Sequence, residues 1–196
     1  MFDHEHDVLF KRTEVEEAIR KNAMMVHGAC INDLPRADIH VVGILNGCYP
    51  FMSKFIEEFP ARAHVMIDHA MFVGGDVIMH YSQQGLDGAV VILLDDICDG
   101  GDTIEVAAKH IEHQWDVVRV LTCTLVDRPE RHKGVTVHFP CLRIPEEAGW
   151  IIGWGMDRGA GDGRYLMDIC HEPVTKAFVE GLSWLGEDDN GHTSRL

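Results

Sequence analysis

The residues with the clearest chemical potential lie at positions 90–103, where the sequence reads V-V-I-L-L-D-D-I-C-D-G-G-D-T. The loop at residues 99–103 can turn its backbone N–H groups toward a phosphate monoester, because glycine permits close approach and a helix N-terminus favours negative charge. Asp95 and Asp96 lie just before the loop and can accept hydrogen bonds from the vicinal hydroxyls of a ribose. The segment therefore predicts a site for a sugar 5-phosphate, with a solvated turn as the alternative.

The elements around this segment predict how it is positioned. Residues 89–94 are a continuously apolar run, typical of a strand buried on both faces, and residues 103–113 predict a helix after it. A second apolar run at residues 40–45 precedes a helix that begins near Pro50. Further strands are predicted at residues 63–72 and 117–126. This alternation predicts an α/β fold with a twisted, mainly parallel sheet flanked by helices, whose ligands bind at the carboxyl ends of the strands.

Outside this alternation the patterns are weaker. Thr13 and Glu16 match the S/T-x-x-E capping pattern, which predicts a helix at residues 13–26, followed by a loop at residues 29–38. Residues 76–88 are polar and weakly patterned, and a mobile loop is expected there. Short strands are predicted at residues 136–144 and 149–154, which need not belong to the main sheet, and a disordered tail is predicted at residues 186–196.

The segment at residues 90–103 resembles the phosphoribosyl-pyrophosphate signature of type I phosphoribosyltransferases, an apolar strand and two acidic residues followed by a D-x-G-x-T loop. Three more segments resemble the hypoxanthine-guanine branch of that family, in the same order along the chain. They are V-G-I-L-N-G-C-Y-P-F-M at residues 42–52, L-V-D-R-P at residues 125–129 and G-W-I-I-G-W-G-M-D at residues 149–157. The resemblance extends over residues 10–170, and the segments after it have no counterpart.

The resemblance implies a role for each residue that matches a family motif. Asp99 would be the catalytic aspartate, which lies against N7 of the purine and accepts its proton or stabilises the charge that develops there. Gly100, Gly101, Asp102 and Thr103 would bind the 5-phosphate, and Asp95 and Asp96 the ribose hydroxyls, directly or through magnesium. Leu45, Asn46, Gly47 and Arg164 would bind pyrophosphate, Arg128, Trp150 and Ile151 would bind the base, and Asp157 would be a metal-linked carboxylate.

The chain also departs from the family pattern. Arg128 replaces a lysine that, in the family, contacts the exocyclic oxygen of the base. Arginine keeps a donor for an oxygen at purine position 6, but its guanidinium group is larger and can change the preference between xanthine and guanine. Asn46 replaces a common lysine of the pyrophosphate loop. The stretch at residues 71–75 lacks the Ser-Tyr pair of the family's lid, and a shortened lid would lower catalytic efficiency. Trp150 is predicted to stack on the purine, with a place in the core as the alternative.

Composition and charge restrict the class of protein. The chain has 196 residues, 46% of them hydrophobic, and a net charge of −15, which disfavours a general binder of nucleic acid or of anionic membranes. Six cysteines without a C-x-x-C pair predict buried free thiols, and the first residues lack a signal-peptide pattern, so a cytoplasmic protein is expected. The 13 histidines show no known zinc spacing, so no zinc site is predicted.

These features together predict an enzyme of purine salvage that transfers the phosphoribosyl group of phosphoribosyl pyrophosphate to hypoxanthine or guanine, with magnesium as its cofactor. Two alternatives stay open: a phosphoribosyltransferase that prefers xanthine, and a regulator that binds phosphoribosyl pyrophosphate or a nucleotide with little turnover. We expect a single domain at residues 1–185, with a small hood subdomain from residues 1–38 and 128–170, and a homo-oligomer, either dimer or tetramer. The helix at residues 49–59 is a candidate interface through Phe51, Phe55 and Phe59, or the same stripe is part of the core.

Overall fold

The computed structural model of the chain describes residues 7–33, 37–60, 65–73, 75–80, 85–159 and 161–172. The helices in these residues are α1 (Arg12–Asp33), α2 (Tyr49–Glu58) and α3 (Asp102–Gln114), with a short 3-10 helix at Pro129–Arg131. The strands are β1 (Asp7–Phe10), β2 (Ile39–Leu45), β3 (Val65–Val73), β4 (Asp76–His80), β5 (Val90–Cys98), β6 (Arg119–Asp127), β7 (Phe139–Arg143), β8 (Trp150–Ile152) and β9 (Ile169–Glu172). None of the described helices is long and apolar enough to cross a membrane.

The main sheet consists of six strands in the described part of the chain, in the order β4-β3-β2-β5-β6-β7. β3 and β4 pair antiparallel, and every other neighbouring pair is parallel. The mainly parallel α/β sheet predicted from the sequence is therefore confirmed. Because β2, β5 and β6 run in the same direction, their carboxyl ends meet at one edge of the sheet, where ligands bind in folds of this kind.

The core covers both faces of this sheet, because side chains alternate between the two faces of a strand and the central strands are apolar on both. In β5, Val90, Ile92 and Leu94 pack with α1 and α2. Val91 and Leu93 belong to a second cluster with α3. A continuous apolar run in β5 is thus the consequence of helices on both sides of the sheet.

The apolar stripe of α2 belongs to the core. Phe51 and Phe55 are fully buried and Phe59 is 7% exposed. Their rings pack against one another, with centroids 5.9 Å apart for the first pair and 5.6 Å apart for the second. The stripe is therefore not available as an interface between copies of the chain.

A second, antiparallel sheet of three short strands has the order β1-β9-β8 and brings together segments from the two ends of the described chain. It connects to the start of α1 through Asp168, whose Oδ1 accepts a hydrogen bond from the backbone N–H of Arg12 at 2.7 Å. Lys11 Nζ lies 3.4 Å from Oδ2 of the same carboxylate. One exposed side chain thus joins the second sheet to the first turn of α1.

Three sequence-based element boundaries were wrong. α1 begins at Arg12, where Glu14 accepts a hydrogen bond from the backbone N–H of Lys11 at 2.8 Å in place of the predicted Thr13/Glu16 pattern, and it continues to Asp33. The predicted loop at residues 29–38 is therefore helical in its first part. β5 also continues past residue 94 to Cys98, so that Asp95 and Asp96 lie on the strand itself.

Two further expectations concern strand pairing. Residues 76–80, expected within a mobile loop, form β4, in which polar and apolar residues alternate and Val77 and Met79 pair with Phe72 and Ala70 of β3. β7 belongs to the main sheet as the neighbour of β6, whereas β8 belongs to the second sheet. The six cysteines are free, five of them buried, as predicted. The tail expected at residues 186–196 lies outside the described residues.

Candidate functional site

Two adjacent carboxylates lie on the last part of β5. Asp95 is 5% exposed, and its Oδ1 accepts a hydrogen bond from the backbone N–H of Asp96 at 3.0 Å. Asp96 Oδ1 accepts from the backbone N–H of Ile97 at 2.8 Å. Burial raises the pKa of both carboxyl groups, and the charge of Asp96 raises the pKa of Asp95 further. Two acidic groups kept close together under this penalty are typical of a site that receives a cation or hydroxyl donors.

The glycine-rich loop turns directly from β5 into α3. Gly101 precedes the first helical residue and has a φ of 91°, a conformation that favours glycine. A Cβ atom at this position would lie 2.1 Å from Cγ1 of Val135, so the site has no room for a side chain. The loop therefore presents backbone N–H groups at the N-terminus of α3, where an anion is favoured.

A pocket of about 470 Å³ lies over this loop. Its lining includes Asp95, Asp99 and the five consecutive residues 100–104. Phe72, near the end of β3, and Gly75, just before β4, also line it. The segment that corresponds in sequence to the family's lid lies at the hairpin of β3 and β4. It therefore borders the pocket.

Asp99 faces two arginines that follow β6. Its Oδ1 lies 3.6 Å from Nη1 of Arg128 and 3.0 Å from Nη1 of Arg131. Arg128 is only 4% exposed, and burial lowers its pKa while the charge of Asp99 raises it. The site therefore combines an acceptor and a cationic donor at the ends of neighbouring strands.

Arg128 also connects this pair to β8. Its Nη2 donates a hydrogen bond to the carbonyl oxygen of Gly149, immediately before Trp150. The Trp150 side chain is 42% exposed, and its Nε1 donates to the carbonyl oxygen of Asp157 at 2.8 Å. The exposed indole agrees with the predicted stacking role better than with a place in the core. Ile151, whose side chain is 4% exposed, can contribute only backbone groups.

The loop after β2 packs directly against the acidic pair. A Cβ atom on Gly47 would lie 1.7 Å from Oδ2 of Asp96, so only glycine fits between them. A Cβ atom on Gly155 would lie 1.9 Å from the carbonyl oxygen of Gly47, so this position has no room for a side chain either. The Leu45–Asn46 peptide bond is cis, and Asn46 is exposed. Close packing at two glycines thus holds this loop against both β5 and the segment after β8.

Arg164 joins the same group. Its Nη1 donates to the carbonyl oxygen of Gly155 at 2.6 Å, and its Nη2 lies 2.9 Å from Oδ2 of Asp157. Its charge also acts to lower the pKa of Asp96, against the larger effect of burial. Asp157 accepts a second hydrogen bond from the backbone N–H of Gly161 at 2.7 Å. Asp157 is therefore already engaged by a cation and a backbone donor.

The contacts link four segments that are far apart in the sequence: the loop after β2, the end of β5 with its loop, the start of the 3-10 helix, and β8 with the turn after it. Sequence reasoning did not single out Arg131, which contacts Asp99, or Gly155, which makes room for the Gly47 loop. An arginine three residues after Arg128, just past Pro129, was the available signal for the first. A glycine inside the G-W-I-I-G-W-G-M-D segment was the signal for the second.

Comparison with known proteins identifies the family. The phosphoribosyl transferase domain matches residues 9–157, more than half of the chain. Hypoxanthine-guanine phosphoribosyltransferase of Lactococcus lactis is 28% identical over 125 residues, which are 60% of this chain and 66% of that protein, just under two thirds. The Mycoplasma pneumoniae protein of the same name is 24% identical over 135 residues, which are 65% of this chain and 76% of that protein.

Solved structures show the same fold. A hypoxanthine-guanine phosphoribosyltransferase of Bacillus anthracis aligns with a TM-score of 0.71 and 26% identity, over 84% of this chain and 96% of that one. Hypoxanthine phosphoribosyltransferase of Trypanosoma cruzi, in complex with the product IMP, aligns with a TM-score of 0.80 over 95% of this chain and 99% of that one, at 16% identity. With residues 9–157 matched and the fold shared, the chain belongs to the phosphoribosyl transferase domain family.

Proposed function

We propose that the protein transfers the 5-phosphoribosyl group from phosphoribosyl pyrophosphate to a 6-oxopurine base, hypoxanthine or guanine, and releases pyrophosphate. The observation that most supports this proposal is the pairing of Asp99 with Arg128, whose Oδ1 and Nη1 atoms are 3.6 Å apart beside the glycine-rich loop. An acceptor and a donor at this distance match two neighbouring groups on one edge of a purine.

The choice of a 6-oxopurine follows from the chemistry of that edge. Guanine and hypoxanthine carry the acceptor O6 next to N7. Arg128 can donate to O6, while Asp99 can accept the proton that N7 loses. Adenine has an amino group at position 6, a donor that would face the guanidinium of Arg128. Adenine is therefore disfavoured as a substrate.

The reaction needs a bond between N9 of the base and C1 of the ribose, and loss of the bond between C1 and the pyrophosphate oxygen. In our proposal Asp99 takes the N7 proton as N9 attacks. Gly100, Gly101, Asp102 and Thr103 hold the 5-phosphate at the N-terminus of α3. Asp95 and Asp96 orient the ribose hydroxyls, while Trp150 stacks on the base and Ile151 binds its edge through backbone groups.

The leaving pyrophosphate is assigned to the loop of Leu45, Asn46 and Gly47, with Arg164 as the nearby cation. Support comes from the packing of Gly47 against Asp96 and from the contact of Arg164 with the carbonyl oxygen of Gly155. The loop and Arg164 are therefore close to Asp96, one of the two carboxylates assigned to the ribose, which supports the assignment. Charge neutralisation by Arg164 would compensate in part for the absence of a lysine at position 46.

Magnesium is the cofactor we propose. The residues present fit this ion, because Asp95 and Asp96 offer hard oxygen donors whose pKa values are raised by burial. Asp157 offers a third carboxylate nearby, held by Arg164. Bound magnesium neutralises charge on the pyrophosphate as that group leaves.

Assembly and location are further parts of the proposal. We propose a homo-oligomer, a dimer or tetramer, whose interface excludes the buried Phe51, Phe55 and Phe59 stripe. Surface apolar residues such as Tyr49 and Ile67, 58% and 40% exposed, are available for it instead. A cytoplasmic location is supported by six free cysteines, since free thiols persist in a reducing compartment.

The test is to mix the purified protein with phosphoribosyl pyrophosphate, magnesium and each of guanine, hypoxanthine, xanthine and adenine, and to follow nucleotide formation. An Asp99→Asn variant loses the acceptor for the N7 proton, and we expect its kcat to fall by about 10²–10⁴-fold. Asp116→Asn, an exposed carboxylate just before β6 at the opposite edge of the sheet, is the matched control and keeps full activity.

The outcomes separate the open alternatives. Rapid formation of guanine and hypoxanthine nucleotides, with none from adenine, supports the proposal. A faster reaction with xanthine than with guanine or hypoxanthine would support the alternative of a phosphoribosyltransferase that prefers xanthine, which Arg128 leaves open. Binding of phosphoribosyl pyrophosphate by calorimetry without nucleotide from any base would contradict the transferase and favour the regulator.

A further inference from the structure

Three potential metal ligands, which the sequence did not indicate, lie together beside Asp99 and Arg128. Cys98 Sγ, a carboxylate oxygen of Asp127 and a ring nitrogen of His132 all lie within 4.8 Å of one another. Cys98 and Asp127 are 2% and 1% exposed. We propose that these three residues bind a zinc ion.

The carboxylate of Asp127 has a buried oxygen, Oδ1, that lacks a hydrogen bond. Oδ2 lies 3.6 Å from Nε of Arg143, an exposed side chain. Oδ1 lies 2.9 Å from Nε2 of His132, but neither atom has a hydrogen bond of acceptable geometry within the described residues, and both are buried. Two buried polar atoms that approach without a hydrogen bond are costly unless a third group binds both of them. A metal ion between them removes that cost.

The backbone holds the three ligands in place before any ion arrives. Cys98 and Asp127 are direct partners in the register of β5 and β6. The backbone N–H of Arg128 donates to the carbonyl oxygen of Cys98 at 3.0 Å and closes the pair. His132 follows the 3-10 helix Pro129–Arg131, whose single turn directs its ring back to the strand end. Ligands on rigid strand ends lower the ordering cost of metal binding.

The ligand set selects zinc. A thiolate, an imidazole and a carboxylate form the mixed sulfur, nitrogen and oxygen set that zinc accepts, whereas magnesium prefers oxygen alone. A thiolate and a carboxylate also balance the two positive charges of the ion. Three protein ligands leave a fourth position, and Cys98 lines the pocket, so a water molecule can fill it.

Coordination by the thiol of Cys98 gives zinc binding a measurable signature. Since a metal-bound thiol loses its proton outright, zinc binding at neutral pH must release one proton from Cys98. That release distinguishes coordination by this thiol from binding at the oxygen groups of the magnesium site.

The position of the ion explains what it would do. Cys98 immediately precedes Asp99, and Asp127 immediately precedes Arg128. Zinc bound to the first residue of each pair ties the two strand ends together and sets the separation of the two side chains assigned to the base. The ion acts by positioning these residues, and it contacts none of the reacting atoms.

The site lies outside the groups that the proposed function uses, and its test does not require activity. The protein, prepared without an affinity tag and freed of metal by a chelator under reducing conditions, is titrated with cobalt(II) chloride, an optical substitute for zinc. We expect a thiolate-to-cobalt charge-transfer band that saturates at one equivalent and disappears on addition of zinc chloride. Calorimetry in two buffers of different ionisation enthalpy should show release of one proton.

Three variants test the ligands. Cys98→Ser must lose the charge-transfer band, and His132→Gln and Asp127→Asn must weaken zinc binding by more than about 100-fold, beyond the loss caused by removal of an outer-shell partner. Cys141→Ser, a half-buried cysteine of β7, and His113→Gln, an exposed histidine of α3, are the matched controls and keep the band. Circular dichroism checks that each variant is folded, and His132→Gln, at a side chain that is 11% exposed, serves as the ligand variant should Cys98→Ser fail to fold.

The contrary result is equally clear. No charge-transfer band in the wild-type protein, or the same band and stoichiometry in Cys98→Ser or His132→Gln, would overturn the zinc site. The cluster would then be a buried ion pair of His132 with Asp127 beside an unrelated thiol. Failure of nucleotide formation with the zinc results intact would contradict the proposed function alone.

Discussion

At the scale of single residues, the acidic pair on β5 has the strongest electrostatic effect in the site. Asp95 and Asp96 are covered by the loop of Gly47, and their charges are close together without a compensating cation except Arg164. Burial raises the pKa of each group, and the charge of Asp96 adds to the increase at Asp95. The pair therefore costs stability in the free protein and is available to bind a cation or hydroxyl donors.

The cost has a defined pH dependence. The folded state binds protons on these groups at a higher pH than the unfolded state, whose carboxyl groups titrate near the ordinary value of 3.8. Between that value and the raised pKa the folded state holds more protons, so stability falls as pH rises through this window. Above the raised pKa the pair destabilises the folded state by its full amount. Below 3.8 both states are protonated, and the pair has no effect.

Asp96→Asn tests this argument, because an asparagine keeps the acceptor for Ile97 but removes the charge. Each unit of raised pKa costs about 1.4 kcal/mol at neutral pH, and 1 kcal/mol moves the Tm of a chain of this size by about 2–4 °C. We expect the variant to have a higher Tm than the wild type at neutral pH in the presence of chelator, and the same Tm near pH 3. Differential scanning calorimetry with and without magnesium chloride measures both.

The matched control for this prediction is Asp116→Asn, which removes an exposed carboxylate and should leave Tm unchanged. Magnesium should raise the Tm of the wild type and have a smaller effect on Asp96→Asn. A variant less stable than the wild type at neutral pH would contradict the sign of the effect.

At the scale of elements, close packing at two glycines holds the loop between β2 and α2 against its neighbours. Gly47 has no space for a Cβ atom against Asp96, and Gly155 has none against Gly47. Gly155 also has a φ of 95°, which disfavours any other residue there. The positions of the loop, the acidic strand and the segment after β8 therefore depend on one another.

Gly47→Ala is expected to separate the loop from β5. The added methyl would lie 1.7 Å from Oδ2 of Asp96, so either the carboxylate or the loop must move. Overpacking of this kind costs about 1–3 kcal/mol, and the KM for phosphoribosyl pyrophosphate should rise by about tenfold or more, the equivalent of about 1.4 kcal/mol. Urea unfolding and steady-state kinetics measure the two effects.

Gly28→Ala provides the matched comparison. Gly28 lies inside α1 with nothing within 4 Å of an added Cβ, so alanine should stabilise the helix by up to about 1 kcal/mol and leave KM unchanged. An unchanged KM in Gly47→Ala would show that the loop tolerates the shift and does not need its contact with Asp96.

The elements also show how far the sequence could predict the fold. The apolar runs of β2 and β5 predicted the central parallel strands, because a strand buried on both faces needs no polar residue. The same reasoning ended β5 at residue 94, since two aspartates indicate a strand end when their burial is unknown. β4 was missed because five alternating residues on an edge strand are a weak signal, and the glycines before them indicate a loop.

The site was predictable where a motif is contiguous and not where it is assembled by folding. Asp99 and Arg128 were predicted as site residues because each lies in a recognisable segment, and their side chains lie 3.6 Å apart in the structure. The contact of Arg131 with Asp99, and the cluster of Cys98, Asp127 and His132, depend on the register of β5 with β6 and on the turn after β6. The sequence positions of those three residues follow no metal-binding spacing, so only the sheet brings them together.

At the scale of the whole molecule, the two sheets differ in how they are stabilised. The main sheet has core on both faces, whereas the second sheet consists of strands of four, four and three residues. Its attachment to α1 includes the exposed contacts of Asp168 with Lys11 and Arg12. The hydrogen bond from the backbone of Arg12 and the charge of Lys11 lower the pKa of Asp168. This contact therefore stabilises the fold above the ordinary carboxyl pKa and is lost as pH falls through the lowered one.

Asp168→Asn should consequently loosen the second sheet without affecting the first. The asparagine loses the charge that attracts Lys11 and the stronger hydrogen bond to Arg12, and exposed contacts of this kind have local effects. Amide hydrogen exchange followed by mass spectrometry should show faster exchange in β1, β9 and the first turn of α1, and unchanged protection in β2, β5 and β6, because short strands open locally before the core does. Asp116→Asn should leave both sheets as in the wild type. Equal acceleration in both sheets would mean that they unfold as one cooperative unit, in which case Trp150 on β8, which we propose to bind the base, is as rigidly held as Asp99, which follows β5.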